Sequence, residues 1–130
     1  MVKGIGVDLV DLSAFRGLCE GFGATTDSPC AFVARTFTEA ELSQARGRAD
    51  ACQYLAGRYA AKEAVFKAIA PLTATGFDPR RVETIDAPTG QPVVSVGGAL
   101  ADVYAAAGVG EILVSITNES GLVEAIALAQ

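Results

Sequence analysis

Gly57-Arg58-Tyr59-Ala60-Ala61-Lys62-Glu63-Ala64-Val65-Phe66-Lys67-Ala68 places four charges in a stretch otherwise built of small and apolar residues. The residues around it, 49–70, contain no proline and a single glycine, and good helix formers dominate them. They predict one long helix that Pro71 stops. At about 100° per residue, Leu55, Tyr59 and Phe66 fall on one face, and Tyr54, Val65 and Ile69 on another. Ala56, Ala60 and Ala64 allow close packing. A helix apolar on several sides is central to its fold. Its charges have a plain explanation, because Arg58 with Lys62 and Glu63 with Lys67 are four apart and read as surface neighbours. They also have a functional one. Charges buried without partners cost several kcal/mol or more, so bases beside an acid here suit a phosphorylated ligand with a divalent metal.

A second carboxylate favours the functional explanation. Asp8 interrupts the strand-like run Ile5, Val7, Leu9, Val10. Asp11 explains itself as the N-cap of a helix beginning near Leu12; Asp8 does not. Gly4 and Gly6 weaken a strand and imply close approach of another backbone or of a ligand. Asp8 with Glu63 makes a two-carboxylate site. Such sparse ligation suits Mg²⁺, which keeps waters and takes oxygens from substrate phosphates.

Outward from these segments, a strand is expected over 3–10, a helix over 12–20, a loop over 21–28 and a helical turn over 31–35. Thr38-Glu39-Ala40-Glu41 is a capping-box pattern, read as a cap and nothing more. Gly76 marks a tight turn in the loop over 72–79. Strands are expected over 82–85 and 92–96, joined through Gly90, which a hairpin alone explains. A helix over 97–107 follows, then strands over 111–117 and 122–128 joined by a turn at residues 118–121. The fold class is α+β: an antiparallel sheet packed on one long central helix plus shorter helices.

With 130 residues the chain is one domain, 1–130, without repeat or linker. Hydrophobic residues make up 51% and charged residues 19%, which excludes a disordered chain. The net charge of −5 argues against nucleic acid. No apolar run spans a bilayer and no signal peptide is visible, so no membrane is expected and the location reads as cytoplasmic. Cys19, Cys30 and Cys52 form no metal-binding spacing and read as reduced core residues. The absence of histidine removes Ser-His-Asp triads and most zinc sites.

Several segments match one family in order: Gly4-Ile5-Gly6-Val7-Asp8; Phe37-Thr38 with Glu41; Gly57 to Ala64 with Lys67; Gly90 with Pro92; and Val114-Ser115-Ile116-Thr117-Asn118. On these the chain resembles the holo-acyl-carrier-protein synthase group of 4′-phosphopantetheinyl transferases. Two departures stand out. Asn118 occupies the position where that family commonly has histidine, and residues 21–28 make a longer, more polar link than usual.

The resemblance implies a phosphoryl transfer of fatty-acid biosynthesis and lipid metabolism. Coenzyme A gives its 4′-phosphopantetheine arm to a serine of an apo acyl carrier protein, or of a carrier domain in a fatty-acid or polyketide synthase, and 3′,5′-ADP leaves. It implies Asp8 and Glu63 as Mg²⁺ ligands, and Glu63, Asp8 and Lys62 as catalytic residues. It implies Arg58, Lys62, Lys67, Gly76, Gly90, Pro92 and Asn118 as the coenzyme A site. It also implies a homotrimer with sites between subunits, which would cover the apolar helix. The alternative is a CoA-binding module, or an excised synthase domain, without independent transferase activity.

Overall fold

A computed structural model of the chain describes residues 1–22 and 30–130. The loop expected over 21–28 lies, from residue 23 on, outside them. In order the elements are β1 (Gly4–Asp11), α1 (Leu12–Arg16), α2 (Ala31–Thr36), α3 (Glu39–Arg46), α4 (Ala51–Ile69), β2 (Thr84–Asp86), β3 (Pro92–Val94), α5 (Ala101–Ala106), β4 (Ile112–Glu119) and β5 (Leu122–Ala129). The α+β class and the long central helix are as expected. The helix expected over 12–20 is shorter: α1 ends at Arg16 and a 3-10 turn, Gly17–Cys19, completes it.

The sheet was not foreseen in full. β1 pairs antiparallel with β5, which pairs antiparallel with β4, while β2 and β3 form a separate two-stranded ribbon. β4 runs on through Asn118 to Glu119, so the turn contracts to Ser120 and Gly121, both with positive φ (53° and 77°). Two such residues suit the tight primed turn of a two-residue hairpin. Asn118 therefore stands on a strand and not in a turn.

α4 packs against the inner face of β1 and β5. Leu55, Val65 and Ile69 are fully buried, each contributing about 1.5–3 kcal/mol relative to exposure. That outweighs the few tenths separating their helix propensities, so packing rather than propensity holds α4. Gly4 and Gly6 show why the strand tolerates glycine: a Cβ at either would collide with the carbonyl of Ala68 or Ala64 on α4. The close neighbour is backbone, not ligand. Val123, Ala125, Ala127 and Ala129 of β5 cover α4 in the same way.

The outer face of the sheet is different. Ile5, Val7 and Leu9, with Leu113, Leu122 and Ile126, are 40–63% exposed. The apolar girdle of α4 is thus covered inside its own chain, and the uncovered apolar surface lies on the sheet.

The cysteines also depart from expectation. Cys19 and Cys52 form a disulfide, and Cys30 is a free thiol. The bond ties the 3-10 turn after α1 to the first turn of α4. Burial of Cys19 and spacing alone carry no information on such a partner.

Candidate active site

Asp8 lies on the inner side of β1, facing α4, which explains an acid in an apolar strand. It lines an open groove of about 330 Å³ with Leu9, Phe15, Leu18, Tyr59 and Glu63. Burial raises the Glu63 carboxyl above the ordinary glutamate value, and the Asp8 charge raises it further, against the opposing pull of Lys67. Lys67, one turn on from Glu63, turns to β1 instead of to its i−4 neighbour. Its ammonium donates to the Val7 carbonyl at 2.9 Å and pairs with Asp8 at 3.0 Å. Asp8 and Glu63, from segments more than fifty residues apart, meet at this groove, which Asp11 also lines, and the half-exposed Lys67 reaches the site through Asp8.

Tyr59 roofs this groove. Its ring lies 5.7 Å from Phe15 and 6.0 Å from Phe32. A second cavity, of about 290 Å³, continues on the far side of Tyr59 and Glu63 toward Arg35 and Arg80.

Arg58 follows a different course. Consecutive residues on a helix diverge by about 100°, so Arg58 points away from the Tyr59 side. It lines a pocket of about 380 Å³ with Arg48, Tyr54, Asp86, Gly90, Pro92 and Asn118. Its guanidinium pairs with Asp86 at 2.5 Å and stacks over Tyr54, 4.3 Å from the ring centroid. Arg48 pairs with the other oxygen of Asp86 at 2.5 Å. Gln44 holds the Asp86 backbone in both directions and accepts the Tyr54 hydroxyl at 2.6 Å. Two guanidiniums share this one carboxylate, and the other acid of the pocket lining, Asp50, pairs with Arg16. The buried Nε of Arg58 has no partner among the described residues. Gly57 keeps the pocket floor open, since a Cβ there would press on Ile116 of β4.

Lys62 is placed elsewhere. It is 1% exposed and pairs at 2.7 Å with Glu41, itself fully buried. Its ammonium also donates to the carbonyls of Val82 and Arg80. The structure places this charge inside the fold, lining neither of the two grooves described above. Glu41 is accordingly more than a cap. It completes the capping box with Thr38 and also accepts the amide of Thr84 at 3.0 Å. Gly76 is exposed and lines neither ligand-sized groove.

The expected residues thus form two sets in one chain. Asp8 and Glu63 meet at one groove, with Lys67 paired to Asp8. Arg58, Gly90, Pro92 and Asn118 meet at another, and the two share no lining residue. Arg48, Tyr54 and Asp86 were missed. Their signal lies in pairing across the fold, which no local spacing carries.

A family model described as the 4′-phosphopantetheinyl transferase superfamily matches residues 4–118, spanning both sets. The chain belongs to this superfamily. It is 39% identical to a holo-[acyl-carrier-protein] synthase of Desulforudis audaxviator, covering 99% of this chain and 93% of that protein. It superposes on the crystal structure of the holo-[acyl-carrier-protein] synthase from Neisseria meningitidis with a TM-score of 0.81, at 30% identity, over 100% of this chain and 99% of that one. A synthase described as a complex with CoA, from Chronobacterium ammoniagenes, matches with a TM-score of 0.75 at 25% identity, over 98% and 96% of the two chains. As a member of the superfamily the chain is a phosphopantetheinyl transferase.

Proposed function

We propose that this transferase moves the 4′-phosphopantetheine arm of coenzyme A to a serine hydroxyl of an apo acyl carrier protein or carrier domain, with release of 3′,5′-ADP. The observation that carries the reading is the groove where Asp8 and Glu63 converge, with Lys67 paired to Asp8. The carboxylates fit a hard cation: both donors are oxygens, and no cluster of three or more His, Cys, Asp or Glu side chains occurs among the described residues. A site so sparse leaves positions for water and phosphate, as Mg²⁺ requires. When bound, Mg²⁺ would offset charge on the pyrophosphate.

Glu63 accepts the serine proton. In metal-free protein, burial and the Asp8 charge raise its affinity for a proton above that of an ordinary glutamate. Lys67 supplies a cation beside Asp8 for the phosphoryl oxygens. The Arg58 pocket takes the nucleotide end: the guanidiniums receive the 3′-phosphate, and the Asn118 amide donates to an oxygen without needing a proton of its own. Mass spectrometry of an apo carrier incubated with CoA, Mg²⁺ and the protein tests the reading. Mass gain on the carrier serine is expected. CoA binding without mass gain would return the binding-module alternative.

Arg58→Ala is expected to raise the KM for CoA by roughly tenfold to a hundredfold, as loss of a charged hydrogen bond does. The effect with dephospho-CoA is smaller, because that substrate lacks the 3′-phosphate. Equal effects on both would move Arg58 to the diphosphate.

The two sets of residues support a trimer in which a neighbour's Arg58 pocket completes the Asp8–Glu63 groove. The exposed apolar face of β1, β4 and β5 supports it independently, being larger than scattered surface side chains explain. Ile126→Glu, a substitution on that exposed face, is expected to yield monomers in sedimentation and to lose transfer. An active monomer would overturn the shared site. The proposed location is cytoplasmic; among the described residues no helix is long and apolar enough to cross a membrane.

A further inference from the structure

The Cys19–Cys52 bond joins the two walls that the transfer reading requires. Cys19 directly follows Leu18, which with Phe15 forms the α1 wall of the Asp8–Glu63 groove. Cys52 lies in the first turn of α4, between Asp50 and Gln53, which line the Arg58 pocket. Among the described residues, the other polar link between the two walls is the pair between Arg16 and Asp50, at 2.7 Å, with both side chains more than 40% exposed. An exposed pair contributes little to rigidity. The third thiol, Cys30, donates to the Leu18 carbonyl at 2.8 Å, so three sulfurs gather around this one wall.

We propose that Cys19 and Cys52 form a reversible thiol–disulfide switch that sets the order of the α1 wall and hence the affinity for a carrier that docks on this wall, where Leu18 stands exposed at the groove. The proposal rests on the transfer reading for its kinetic readout alone. The chemistry needs a dithiol reductant of the thioredoxin class. Cys19 is buried and Cys52 only half-buried, so the attacking thiolate meets Sγ of Cys52. An S–S bond forms between the reductant and Cys52, and Cys19 leaves as a thiolate that takes a proton. The second reductant thiol then displaces Cys52 and closes the reductant's own disulfide. Two electrons and two protons pass to the pair. In a reducing compartment a disulfide is transient and redox-sensing, which suits such a device.

The reacting groups stand apart from the switch. Glu63 lies eleven residues beyond Cys52 on the same helix, about 16 Å along its axis. Asp8 is held by β1, whose pairing with β5 does not involve the disulfide. Reduction therefore alters docking and spares the chemistry. If it leaves the wall ordered a tenth to a third of the time, the apparent affinity for the carrier falls by about three- to tenfold.

Two measurements test this. Thiol counting with peptide mapping in a defined disulfide buffer is expected to find one free thiol and a Cys19–Cys52 link, and three thiols after reduction. Three thiols under oxidising buffer, or a link from Cys19 to Cys30, overturns the proposal. Transfer assays on oxidised and reduced protein are expected to differ more in the KM for carrier than in the KM for CoA. Cys52→Ser should match the reduced protein and ignore reductant. An unchanged carrier KM, or a Cys52→Ser protein that still responds to reductant, overturns the switch. Absence of transfer in both redox states defeats the transfer reading instead, and the thiol count still decides the pairing.

Discussion

Glu63→Gln is expected to lower the rate of transfer by about a thousandfold or more, the range seen when a general base and a metal ligand are lost together. The amide keeps the shape of the side chain and removes its charge and its basicity. The fold should survive, because Glu63 stands at the groove and not in the core. Circular dichroism and a melting curve separate loss of chemistry from loss of structure. The pH dependence carries a second expectation. Glu63 binds its proton more tightly than a free glutamate, through burial first and the Asp8 charge second. In metal-free protein the Glu63 carboxyl should therefore titrate above the ordinary carboxylate range, and Mg²⁺ should pull it back down. For stability the sign is the reverse of the usual acidic case. The penalty of holding Glu63 charged is absent below its unfolded-state value and complete above its folded-state value. Asp8→Asn removes the like charge, so Glu63 in metal-free protein should titrate lower, as carbon NMR of its carboxyl can measure. A Glu63 value unmoved by Asp8→Asn would mean that the two acids do not share a site.

Glu41→Ala is expected to destabilise the chain by about 3–5 kcal/mol, since it leaves the Lys62 ammonium buried with carbonyl partners alone. Small domains are stable by about 5–15 kcal/mol in all, so this loss brings the chain close to unfolding. Burial already lowers the Lys62 value despite the nearby Glu41 charge, which shows how costly the isolated cation would be. Lys62→Met should cost less. The carboxylate it strands keeps the amides of Thr38 and Thr84 as donors. Urea denaturation ranks the two variants. At a temperature where Lys62→Met stays folded, its KM for CoA should be unchanged. A stable Lys62→Met protein that has lost CoA would restore Lys62 to the phosphate site.

Glu41 also shows where reading the chain stops. Thr38 and Glu41 are three residues apart, and that spacing specifies a capping box, which forms. The same carboxylate pairs with Lys62 and accepts from Thr84, and neither contact leaves a trace near residue 41. The motif that best marked the family included Lys62 for a reason its spacing does not disclose. The cysteines make the same point. Their number and spacing speak against a metal site, while the pairing of Cys19 with Cys52 depends on how α1 meets α4.

The chain by itself determined the features set by nearest neighbours and by period. Alanine-rich helical composition made α4, with Pro71 just past its end. Asp11 capped α1, and Gly4 and Gly6 announced a close approach to β1. The order of motifs was enough to indicate the superfamily. Only the tertiary structure decided which partner each charge on α4 takes. Arg58 and Lys67 turn from their own helix to Asp86 and Asp8, and Lys62 turns to Glu41. Helical spacing offered an oppositely charged i,i+4 partner only to Lys67, in Glu63, and such a pair is worth only a few tenths of a kcal/mol; Arg58 and Lys62, four apart, repel each other. A buried or half-buried charge gains far more from a partner brought in by packing. The same packing separates the expected site residues into two grooves, because consecutive positions on one helix face different neighbours.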